Sequence, residues 1–140
     1  MVIPHSLTLL EDEDLLCAAD REGRRILCYT AGLAQQKAGK LLFSIKHPSV
    51  KRVYAISAVD DLIFGINGPD LDAEDDGRTN KDKQVGFVLN LATERLLDSF
   101  YPEEGFQSPH DLTINRRTAA LFISDLKSPQ KIFKFFVGKN

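Results

Sequence analysis

Apolar residues along this chain gather in strand-length runs separated by polar tips. Residues 15–19 (LLCAA) and 26–29 (ILCY) flank the polar segment 20–25, and residues 121–124 (LFIS) and 132–137 (IFKFFV) flank another. Short runs rich in bulky and β-branched side chains, bounded by charged or turn-forming residues, predict hairpins and not helices. No stretch sustains a long 3.6-residue period; residues 33–41, with Ala34, Ala38, Gln35 and Gln36, predict only a short helical turn.

The runs repeat. His5, Leu7, Thr8, Leu9, Leu16 and Asp20 recur 105 positions later as His110, Leu112, Thr113, Ile114, Leu121 and Asp125. After a one-residue slip in the turn, Ile26 and Tyr29 recur as Ile132 and Phe135. A weaker middle copy at an offset of 47 pairs Leu9, Leu15 and Leu16 with Ile56, Leu62 and Ile63, and Asp20 with Asn67. The repeat units lie near residues 5–50, 51–100 and 105–137. Units of this length made of short strands predict an all-β fold of propeller blades. Since three blades do not close a ring of at least ~4, the expected object is part of a propeller. The charge-rich stretch 69–83 is expected to be a loop insertion in the middle blade.

Repetition also singles out the chemistry. Equivalent positions at the start of innermost strands converge on a propeller's central channel, and His5 and His110 are equivalent. Two imidazoles there either serve structure or begin a zinc site, which for catalysis takes three protein ligands and a water. The offset places Arg52 at the corresponding point of the middle copy. Asp111 is either a solvated charge or a carboxylate for a hard cation such as calcium. Asp20, recurring as Asn67 and Asp125, is expected to bond the turn backbone. Arg21, not repeated, is either a surface charge or an anion-binding group. Cys17 and Cys28 flank the first turn and face each other if that hairpin is symmetric, either as a disulfide or as two reduced thiols. His47 has no repeat partner and reads as surface.

Composition narrows the classes. With 140 residues, 43% of them hydrophobic, the chain is long enough for a real core. Eighteen basic and twenty acidic residues give a net charge of -2, so no overall field favours nucleic acid or an anionic membrane. The longest apolar stretches are far short of the ~20 residues of a spanning helix, and residues 1–5 lack the features of a secretory signal. No phosphate loop, nucleophile elbow or aromatic stacking array is present.

The run Pro4, His5, Ser6, Leu7, then Leu16 through Arg24 and Cys28, resembles the lyase domain of peptidylglycine α-amidating monooxygenases. The resemblance continues through Ile45, Lys46, His47, then Tyr54 to Ser57, residues 62–68 and 86–90, and Pro109, His110, Asp111. It implies three blades of a six-bladed NHL-type β-propeller, with an upstream half carrying a third histidine, a tyrosine and another arginine. It further implies a channel zinc held by His5 and His110, a structural calcium on Asp111, Arg21 in the active site and a Cys17–Cys28 disulfide. The implied reaction converts peptidyl-α-hydroxyglycine to a peptide amide and glyoxylate in the secretory pathway or outside the cell. The alternative is a noncatalytic propeller segment that binds peptide or protein.

Overall fold

The computed structural model describes residues 1–34, 37–69 and 84–138. Among the described residues, eleven strands form three antiparallel sheets. The first holds β1 (Pro4–Leu10), β2 (Leu15–Asp20), β3 (Arg25–Thr30) and β4 (Leu41–Ile45) in chain order. The second holds β5 (Val53–Val59), β6 (Leu62–Asn67), β7 (Gly86–Asn90) and β8 (Leu96–Phe100), and the third holds β9 (Pro109–Asn115), β10 (Ala120–Asp125) and β11 (Ile132–Phe136). The first strands of the three sheets are spatial neighbours, β1 against β5 and β5 against β9. Short meanders set side by side through their first strands are the blades of a β-propeller.

Two cores hold the blades together, and the middle sheet belongs to both. On one face Val53, Ile56, Ala58, Ile63, Phe87 and Leu89 pack with Cys17, Ala19, Ile26, Cys28 and Ile45 of the first sheet. On the other, Ala55, Phe64, Ile66 and Val88 pack with Leu112, Leu121, Ile123 and Phe133 of the third. Successive side chains on a strand point to opposite faces, so a sheet buried on both sides needs apolar residues at both parities. That is why residues 62–66 (LIFGI) and 86–89 (GFVL) run apolar without alternation. Gly65 stands directly opposite Phe87, whose ring lies where a β-carbon would be, 2.1 Å away.

Between β1 and β5 the contact is polar. Ile56 N donates to Ser6 Oγ at 3.2 Å and Ala58 N donates to Thr8 Oγ1 at 2.9 Å. Cys17 and Cys28 are register partners on β2 and β3, with Cα atoms 4.1 Å apart, and form a fully buried disulfide.

Register confirms the one-residue slip: Ala19 faces Ile26 in the first sheet and Ser124 faces Ile132 in the third. Two expectations need correction. Residues 33–41 hold no helical turn among those described: Leu33 and Ala34 form a bend, Gly39 lies in a turn, and Leu41 already begins β4. Gly32 and Gly39 adopt φ of 78° and 84°, outside the helical region, while Thr30 ties the segment down through its backbone and hydroxyl. The offset of the middle copy is 47 only for its second strand. The β5–β6 turn has two residues, Asp60 and Asp61, where the β1–β2 turn has four, so the first strands are offset by 49 and Leu9 corresponds to Ala58. The loop expected at 69–83 lies, apart from Pro69, outside the described residues.

At the channel end of each blade, a buried acid or amide grips the chain entering the first strand. Asp20 Oδ1 accepts the Val2 and Ile3 amides, and its Oδ2 accepts Arg25 Nε. Asn67 accepts the Lys51 amide and donates to the Ser49 and Val85 carbonyls. Asp125 accepts the Gln107 and Ser108 amides together with those of Lys127 and Ser128. Burial raises the pKa of Asp20, but the bonds from Val2, Arg25 and Ile3 outweigh it and hold the carboxyl below its ordinary value. The folded-state pKa is thus the depressed one, so the stabilisation is complete above the unfolded value and is lost as pH falls through the folded one. Chemical denaturation against pH should show stability falling below about pH 4, with a shallower fall in Asp20→Asn. That variant should also cost about 1–3 kcal/mol at neutral pH, because an amide cannot accept on both of its terminal atoms.

Candidate functional site

Each blade's first strand carries one extra residue at its start. Pro4 pairs with Asp20 and Ser6 with Ala19, leaving His5 unpaired between them. Val53 pairs with Asn67 and Ala55 with Ile66, leaving Tyr54. Pro109 pairs with Asp125 and Asp111 with Ser124, leaving His110. A bulge re-aims the side chain it carries, and three equivalent bulges aim three rings at one another. His5 and Tyr54 ring centroids lie 4.7 Å apart, His5 and His110 5.2 Å, and Tyr54 and His110 5.6 Å. The middle-blade equivalent of the histidines is therefore Tyr54, not Arg52, which instead occupies the place of Ile3 and Ser108. The register argument missed Tyr54 because the shorter β5–β6 turn displaces the first strand by two.

The backbone locks this arrangement on both sides. Arg21, Gly68 and Leu126, the residues just after the three gripping side chains, donate their amides to Ile3, Arg52 and Ser108. Each acceptor stands two positions before a bulge ring. The Arg21 guanidinium carbon lies 5.1 Å from the Tyr54 ring centroid. The Arg52 guanidinium carbon lies 5.9 Å from the same centroid. Glu22 joins the two cations: its Oε1 accepts Arg21 Nε at 2.8 Å and Arg52 Nη2 at 2.6 Å. The hydrogen bond from Arg52, more than that from Arg21, holds the Glu22 carboxyl below its ordinary value. Glu22 thus ties two guanidiniums, Arg21 of the first blade and Arg52 of the middle one, to one carboxylate oxygen.

The imidazole pair fits a zinc ion as far as two ligands go. With Zn–N distances near 2.0–2.1 Å and a ring radius of about 1.2 Å, two imidazoles on one tetrahedral ion have centroids about 5 Å apart, and the observed separation is 5.2 Å. His5 Nδ1 lies 2.6 Å from the Tyr54 carbonyl oxygen, which only accepts, so Nδ1 carries a proton and in the neutral ring the lone pair is on Nε2. A carbonyl holding one ring nitrogen is the usual support for a metal-binding histidine. Among the described residues no group of three or more His, Cys, Asp or Glu side chains is placed to hold a metal. Asp111, next along β9, is exposed and accepts the Leu112 amide through Oδ1; one carboxylate is far from the 6–8 oxygens of a calcium site. His47 lies away from the cluster, its Nδ1 accepting the Ser49 amide in the turn before β5.

The three sheets and the ring cluster define a segment of β-propeller whose first strands bring two imidazoles and a phenol ring together. The chain is 30% identical over 125 residues to peptidyl-alpha-hydroxyglycine alpha-amidating lyase 2 of Drosophila melanogaster, covering 89% of this chain and 28% of the relative. It is 36% identical over 113 residues to peptidyl-glycine alpha-amidating monooxygenase B of Xenopus laevis, covering 79% of this chain and 12% of the relative. By sequence, then, this chain is homologous to the lyase domain of the peptidyl-α-hydroxyglycine α-amidating lyases and amidating monooxygenases, of which it spans a minor part. No family model matches it. Among solved structures, the nidogen/laminin complex superposes with a TM-score of 0.54 at 15% identity, over 78% of this chain and 34% of that one, a likeness of fold. No helix among the described residues is long and apolar enough to cross a membrane.

Nitrogen-correlated NMR of the full chain, at a pH where His5 is neutral, should show its Nδ1–H tautomer. An Nε2–H tautomer would contradict the bond to the Tyr54 carbonyl.

Proposed function

We propose that this chain is part of a propeller lyase that cleaves peptidyl-α-hydroxyglycine to a peptide amide and glyoxylate. The observation carrying this reading is the convergence of His5 and His110 on equivalent bulges around a Tyr54 ring that Arg21 also meets, in a chain homologous to such lyases. His5 and His110 would contribute two imidazoles to a zinc ion, and the rest of a six-bladed ring would supply a third ligand. When bound, zinc supplies a Lewis acid that acidifies the substrate hydroxyl.

Arg21 performs the binding step. Its Nε is occupied by Glu22, and its terminal nitrogens present a planar fork that suits a carboxylate. Held there, the α-hydroxyglycine carboxylate places its neighbouring carbon near the imidazoles. Loss of the hydroxyl proton turns the C–O bond into the aldehyde of glyoxylate as the C–N bond breaks, and the departing amide nitrogen takes up a proton. Tyr54 Oη makes no hydrogen bond among the described residues and stands in the same ring cluster. Asp111 would serve a structural calcium completed by other oxygens of the ring. The Cys17–Cys28 disulfide supports folding in the secretory pathway or outside the cell.

Zinc titration of the full chain tests the metal assignment. His5→Ala and His110→Ala should each weaken zinc binding by more than about tenfold, the lower end of what loss of even a supporting partner costs, while His47→Ala leaves it unchanged. Asp111→Ala should remove any calcium-dependent rise in melting temperature without altering zinc affinity. Equal zinc affinity in all the histidine variants would point to the noncatalytic, peptide-binding alternative.

A further inference from the structure

The turn after β2 builds a linkage between blades. Residues 21–24 close a tight turn in which Arg24 N donates to Arg21 O and Arg24 takes a φ of 50°. Gly23 is required there, since a β-carbon would sit 2.2 Å from Asp20 Oδ2. This geometry lets adjacent side chains meet, and Glu22 Oε1 accepts Arg21 Nε. The same oxygen takes two bonds from Arg52 of the neighbouring blade, from Nη2 at 2.6 Å and Nε at 3.2 Å. Arg52 is buried and committed: its Nη1 donates to the Pro69 carbonyl at 2.7 Å, fixing its head group at the end of the middle sheet. Both guanidiniums lie against the one Tyr54 ring, which is 9% exposed.

We propose that Glu22 is a positioning residue for Arg21: anchored by Arg52 across the blade boundary, it holds the Arg21 guanidinium on the Tyr54 ring with its terminal nitrogens turned over to a carboxylate ligand. The proposal rests on the reading of Arg21 as the group that binds the substrate carboxylate. A long arginine side chain loses several rotors when it binds an anion, so fixing it beforehand strengthens binding. The charge of Glu22 alone acts in the opposite direction, because a carboxylate beside the fork repels an incoming anion. Positioning and electrostatics thus predict opposite signs for its removal. The aromatic ring contributes through its face, so the phenolic hydroxyl is dispensable to this function.

The test is titration of the ¹⁵N-labelled full chain with glycolate, in the presence of a chelator, reading the Arg21 Nε–Hε resonance. Wild type should show a saturable shift. Glu22→Gln should bind glycolate roughly three- to tenfold more weakly in spite of its added net positive charge. Tyr54→Phe should match wild type and Tyr54→Leu should weaken binding similarly to Glu22→Gln. Unchanged or tighter binding in Glu22→Gln overturns the positioning role while leaving Arg21 as the carboxylate group. Absence of any Arg21 shift in wild type overturns both. Should Glu22→Gln lose its folded spectrum, the Tyr54→Phe and Tyr54→Leu pair decides alone. Because no metal is present, the outcome is independent of zinc binding by His5 and His110.

Discussion

One extra residue at the start of each innermost strand, pinned by a buried acid or amide, is the constraint from which the rest of this structure follows. An unpinned bulge would leave its side chain to wander with the frayed end of a strand. Here Asp20, Asn67 and Asp125 bind the incoming backbone, and the amide after each of them bonds a carbonyl two residues before the bulge. His5, Tyr54 and His110 are consequently carried on rigid, repeated geometry. The two apolar cores then fix the blades relative to one another by clamping the middle sheet on both faces, so the three rings meet without making direct hydrogen bonds between their side chains.

Charge is organised around the same point. The Arg52–Glu22–Arg21 linkage runs from the middle blade to the first across the Tyr54 ring. Two partly desolvated cations on one carboxylate would be a poor stabilising device in isolation. Here the linkage lies against the Tyr54 ring, which also meets both imidazoles. Arg21, matched by Gly68 and Leu126 in the other blades, makes the ring cluster asymmetric.

Much of this was legible in the residues. Apolar runs gave hairpins, the 105-residue repeat gave equivalent blades and an equivalent histidine pair, and the recurring Asp20, Asn67 and Asp125 marked the backbone grip. Tyr54 was not found because a constant offset was carried across a turn two residues shorter, which moved Arg52 into its place. Alanine and glutamine content suggested a helical turn at 33–41, but among the described residues of that stretch and its flank two glycines at positive φ and the grip of Thr30 override that preference. The Glu22–Arg52 contact joins residues thirty positions apart. No local pattern records it, because it depends on how far one blade is rotated from the next.

The central claim is that three equivalent bulges bring two imidazoles and a phenol ring together at one axis. Through-space NMR on the full chain tests it most directly, with assigned ring protons of His5, Tyr54 and His110. The account predicts mutual cross-peaks among all three rings, in keeping with centroid separations of 4.7, 5.2 and 5.6 Å. Ring protons of His5 and His110 that show contacts only within their own blades would contradict it.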